Sequence, residues 1–198
     1  MKKSIVFTAL LSLFILASVA FAQKTDKAPA DFSGTWNLDT SKGSLGPQGA
    51  MIKSQTLTVK QEGNKLTVST KTERNPPPAD AAGGGGGAGG GGGRPGGGGG
   101  FGGPGGGEQS YTLDGKAVSM DQPGQNGTTA TVKTTAKWDG SKVVIVTERT
   151  APGQDGTPAT TTTTSTYELG ADSKSLTVTR NSESPRGKNS TTSVYSKG

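Results

Sequence analysis

The chain has 198 residues, 34 of them Gly, with only 28% hydrophobic and 5% aromatic residues. A composition this poor in apolar groups cannot pack evenly, so the core must be concentrated in some segments and missing from others. Cys and His are both absent, which excludes disulfides, thiolate nucleophiles, imidazole bases and the usual zinc ligands, and the formal charge of +6 is spread along the chain without a basic run, so no nucleic-acid partner is expected.

Residues 1–22 have the three parts of a secretory signal peptide: Lys2-Lys3, an apolar run from Ile5 to Val19, and the small-x-small site Ala20-Phe21-Ala22. The apolar run is shorter than the roughly 20 residues that a spanning helix needs. The expected product is exported, periplasmic or extracellular, with no membrane span left after cleavage. Residues 23–30, polar and containing Pro29, read as a short disordered leader.

From Phe32 the pattern changes. In Phe32-Ser33-Gly34-Thr35-Trp36-Asn37-Leu38 the even positions are Phe, Gly, Trp and Leu and the odd positions are polar, the alternation of a half-buried β-strand. Residues 39–50, with Gly43, Gly46, Pro47 and Gly49, read as a loop. Hairpins follow. Gln55–Val59 and Leu66–Val68 flank a turn at Glu62–Lys65, and Thr131–Ala136 and Val143–Val146 flank Asp139–Lys142. Ser110–Leu113 with Ala117-Val118, and Thr164–Tyr167 with Leu176–Val178, fit the same template, and Ser190–Ser196 supplies a closing strand.

The expected fold is therefore all-β: about ten antiparallel strands in an up-and-down meander that closes into a barrel. One domain spans 31–198 and is interrupted at 75–107, where Pro76-Pro77-Pro78 precede a tract in which 20 of the 25 positions from Gly83 to Gly107 are Gly. That tract cannot supply a core and reads as a disordered insertion. Its loop-closure cost grows only with the logarithm of its length. Tight turns should lie at one end of the barrel. The Pro-containing connections 39–50, 75–107, 121–128, 150–159 and 182–188 should lie at the other, which is the open end.

Strand phase then assigns the interior. Trp36, Leu57, Val59, Leu66, Val68, Val132, Trp138, Leu176 and Val178 occupy the apolar phase of their strands. Continuing those phases toward the open end brings in Arg74, Arg180 and, with Val143 and Ile145 inward, Arg149. Three arginines on one rim suit a carboxylate or phosphate head group; alternatively they are strand-end side chains extended into solvent.

Phe32-x-Gly34-x-Trp36-x-Leu38 on the first strand of such a meander resembles the Gly-x-Trp signature of lipocalins and the related fatty-acid-binding proteins. With the Asp139-Gly140-Ser141-Lys142 hairpin, it is most similar to the short bacterial lipocalin-like exported proteins, over residues 31–74 and 108–198. The resemblance implies a barrel with Trp36 packed across a closed base and a small apolar ligand in the mouth. Where fatty-acid-binding proteins carry Arg-x-Tyr on the last strand, this chain reads Ser193-Val194-Tyr195, which keeps Tyr195 as a candidate ligand contact but departs from the pattern in lacking its basic partner. Trp138 joins Phe32, Gly34 and Trp36 as the structural signature.

No enzyme is expected, and neither a cofactor nor a metal. Most Asp residues fall in turns, where they cap backbone groups, and Glu73 and Glu183 lie on outward phases. The Thr160–Thr166 run is ordinary for a solvent-facing strand. Two functions compete: an exported lipocalin-like protein binding a small hydrophobic or amphiphilic anionic ligand at the open end, and a non-enzymatic cell-envelope or matrix interaction module with a self-filled barrel and a flexible Gly-rich loop.

Overall fold

The computed structural model describes residues 30–47, 49–76, 107–123, 128–153 and 156–198. The expected export signal, nearly all of the expected leader and the body of the Gly-rich tract lie outside these residues. Ten strands follow one another: β1 (Gly34–Ser44), β2 (Ile52–Glu62), β3 (Lys65–Arg74), β4 (Gly107–Thr112), β5 (Asp114–Pro123), β6 (Thr129–Asp139), β7 (Lys142–Pro152), β8 (Pro158–Leu169), β9 (Ser175–Ser184) and β10 (Gly187–Lys197). A 3₁₀ turn at Gly49–Met51 is the only helical element among the described residues.

All the ladders are antiparallel, in the order β4-β3-β2-β1-β10-β9-β8-β7-β6-β5. The first strand pairs with the last, Leu38 opposite Tyr195, so the meander wraps into a nearly closed barrel. Its seam is the side where β4 and β5 face each other without a ladder.

The period-two alternation places one side-chain set of every strand inside. At the tight-turn end this set is apolar and fully enclosed: Phe32, Trp36, Leu66, Val143 and Leu176 have no exposed surface. Eight of the nine positions assigned inward pack there, Trp138 half-buried against the Phe32 ring at 5.9 Å; the ninth, Val132, is buried higher on β6, opposite Arg149.

Three local expectations are corrected. The hairpin expected over 110–118 is absent as a ladder: both strands form, but Asp114 pairs across to Lys137 on β6. The cause is Leu113, which is buried, and its N–H donates to the Asn64 carbonyl at 2.8 Å. Pinned under the base, the chain enters β5 through an irregular stretch between Asp114 and Ala117, where the Asp114 carboxylate accepts from Lys116 N–H at 2.9 Å.

Secondly, β1 runs on to Ser44 where a loop was expected, with an excursion between Leu38 and Gly43. The Asp39 carboxylate holds that excursion, accepting from Ser41 N–H at 3.1 Å and pairing with Lys42 at 3.0 Å. Gly43 closes it at φ +82, where a Cβ would run into the Thr192 carbonyl. Thirdly, the connection at 182–188 is a two-residue turn, Pro185-Arg186, between Ser184 and Gly187.

Candidate functional site

Above the apolar base, the described residues leave the barrel unfilled. A cavity of about 480 Å³ opens there, walled by β2, β3, β4, β8, β9 and β10 and bordered by Leu45, Gly46 and Pro47 of the β1–β2 connection. It exists because the inward phase changes character along each strand. On β3 it reads Leu66, Val68, Thr70, Thr72, Arg74; on β10, from the base upward, Tyr195, Ser193, Thr191, Asn189. Leu57, Val68 and Val178 form the apolar floor, and the hydroxyls and amides above it cannot close an apolar core.

The three tyrosines of the chain, Tyr111, Tyr167 and Tyr195, all line this cavity and all are buried. Burial pushes each phenol upward in pKa, Tyr195 to about 12. Arg180 opposes that rise at all three, so its positive charge is felt at every ring. The Tyr195 hydroxyl donates to Gln55 Oε1 at 2.7 Å, and Gln55 Nε2 donates to Thr72 Oγ1 at 2.8 Å, which ties β10, β2 and β3 across the cavity wall. Arg180 is half-buried, with its Nε 3.4 Å from Ser165 Oγ.

Among the expected ligand contacts, Arg74, Arg180 and Tyr195 line the cavity. Arg149 does not: it is half-buried on the inward phase of β7, opposite Val132 and Thr161, and β7 is not part of the wall. The signature residues lie at the base. The Trp36 indole N–H donates to the Phe32 carbonyl at 2.9 Å, and Lys197 Nζ stands 5.3 Å from the centre of its ring. Gly34, at φ +138, leaves room for the Lys197 stem, since a Cβ would lie 3.2 Å from Lys197 Cε. Sequence reasoning did not pick out Gln55, Tyr111 or the Thr70–Thr72 wall as site residues. Extending the phases of Leu57, Leu113 and Val68 upward by single rungs would have found them.

Among the described residues, the lining contains two arginines and no Asp or Glu. No group of three or more acidic side chains that could hold a metal ion occurs among the described residues, and no helix among them is long and apolar enough to cross a membrane. The arrangement offers an apolar floor, hydrogen-bonding walls and positive charge.

The chain matches no protein-family model and no curated protein sequence. Among solved structures, a zebrafish ileal bile acid-binding protein complexed with cholic acid is similar to it, at 13% sequence identity and a TM-score of 0.44, over 84% of this chain and 98% of that chain. The barrel described above is established by its own strand ladders.

Proposed function

We propose that this protein is an exported, non-enzymatic binding protein that holds a small anionic amphiphile in the open half of its barrel. The observation that carries this reading is the cavity of about 480 Å³, whose described lining combines an apolar floor, polar walls and two arginines. Ligand sites commonly occupy roughly 300–1,000 Å³ and combine apolar surface with a few placed polar groups. The apolar end of the ligand would replace water against Leu57, Val68 and Val178, and its acidic group would meet a guanidinium. The open space that the described residues leave above the base supports this reading over that of a self-filled scaffold. Export rests on the amino-terminal Lys2-Lys3, apolar run and Ala20-Phe21-Ala22 pattern.

Native mass spectrometry of the protein purified from its own source tests this directly. The expected result is a co-purifying species that is negatively charged, released by organic solvent, and bound in one copy. A bare protein mass, together with no enhancement of anilinonaphthalene sulfonate fluorescence, overturns the proposal.

A further inference from the structure

The cavity carries positive charge at two depths. Arg180 lies two residues beyond Val178 on β9 and Arg74 lies six beyond Val68 on β3, and all four line the same space. At roughly 3.3 Å per strand residue, these offsets amount to about 7 Å and about 20 Å of strand above the apolar floor. Arg180 is half-buried among the tyrosines, whereas Arg74 is exposed at the rim, where it pairs with Ile52. Thr70, Thr72 and Gln55 lie between the two levels.

We infer that the preferred ligand is an elongated dianion, with one acidic group at Arg180 and a second at Arg74. This rests on the reading of the cavity as a site for an anionic amphiphile, and adds to it the number and spacing of the charges. A ligand with a single head group engages one level only. One with acidic groups at both ends engages both and lays its body along the Thr and Gln wall. The two contacts differ in strength. A carboxylate at half-buried Arg180 forms a charge-assisted hydrogen bond in a partly dehydrated setting, while one at exposed Arg74 is screened by water and salt.

The test is displacement of anilinonaphthalene sulfonate at low ionic strength by three ligands of equal chain length: dodecanoate, dodecanedioate and dodecyl phosphate. The last places extra charge on one head and so separates charge number from charge spacing. Dodecanedioate is expected to bind about threefold to fivefold tighter than either of the others, the size of an exposed ion pair. The R74Q variant should erase that advantage, bringing dodecanedioate down to the affinity of dodecanoate for the same variant. The R180Q variant should weaken all three by about tenfold; R180K, which keeps the charge, should recover most of the loss, and this separates binding from folding. Equal affinity for the three ligands, dodecyl phosphate matching dodecanedioate, or R74Q weakening all three alike would overturn the two-level site while leaving the amphiphile reading intact. Failure of every ligand to displace the probe overturns both.

Discussion

Replacing Trp36 by Phe separates packing from binding at the first strand. The indole has no exposed surface, donates to the Phe32 carbonyl at 2.9 Å, and is not part of the cavity lining. Phenylalanine leaves that buried carbonyl without its donor, at a cost of about 1–3 kcal/mol. It also leaves a void where the second ring of the indole stood, on the order of 1–2 kcal/mol. The cation–π contact with Lys197 contributes little to the difference, because Lys197 is exposed and a phenyl ring retains part of it. Urea unfolding should therefore show a loss of about 2–5 kcal/mol. At roughly 2–4 °C per kcal/mol for a domain of this size, Tm should fall by roughly 4–20 °C. Affinity for anilinonaphthalene sulfonate, measured where both proteins are folded, should stay within about twofold, since the altered side chain lies below the cavity floor. A tenfold loss of affinity with Tm intact would refute the assignment of Trp36 to packing.

Gly43→Ala places a Cβ at φ +82 against the Thr192 carbonyl, so a loss of about 2 kcal/mol or more in urea unfolding is expected; a neutral result would mean that the β1 excursion relaxes freely. Tyr195→Phe removes the 2.7 Å bond to Gln55, but the cavity admits water to the freed acceptor, so about 1 kcal/mol is expected by the same measurement. Val118→Thr with Met120→Thr should change stability by less than about 0.5 kcal/mol, because β5 leaves both side chains more than half exposed. At alkaline pH the three raised phenols mean that the folded chain holds more protons than the unfolded one above pH 10.0. Their contribution to stability is whole below that value and is lost as pH rises through about 12. Tyrosinate absorbance should thus appear together with loss of the β-sheet circular dichroism signal, and titration of all three in folded protein near pH 10 would contradict the burial of these rings.

Most of the barrel was legible because its signals are local and repeated. The alternation from Phe32 to Leu38 identified β1 and its inward face, and each Asp- or Asn-containing turn joined two strands of opposite direction. The pairing of β1 with β10 followed from an even strand count. The seam was not legible, for a physical reason. Asp114-Gly115-Lys116 offers nearly the same turn chemistry as Asp139-Gly140-Ser141-Lys142, yet the second makes a hairpin and the first does not. Turn propensity belongs to a few residues, whereas a ladder depends on where the neighbouring side chain is buried. Leu113, held under the base by the Asn64 carbonyl, determines that. The site was half legible: phase arithmetic brought Arg74 and Arg180 to one cavity, but neither phase nor strand order says which strands border the open space, so Arg149 on β7 was grouped with them although β7 stands outside the wall.

The position of the cavity follows from a change of side-chain type within unbroken strands. Inward residues are Leu, Val, Trp and Phe near the tight turns, and their packing supplies the stability of the whole sheet. A few rungs higher the same phase turns to Thr, Gln, Ser and Arg, whose polar atoms cannot be buried against one another without partners. A barrel made wholly of the lower type would close, and one made wholly of the upper type would not fold. Phe32, Trp36, Leu66 and Leu176 thus hold open a space they do not line. Substitutions in the base should be felt as stability and those in the upper wall as affinity, with Tyr195, which belongs to both the core and the lining, registering in each.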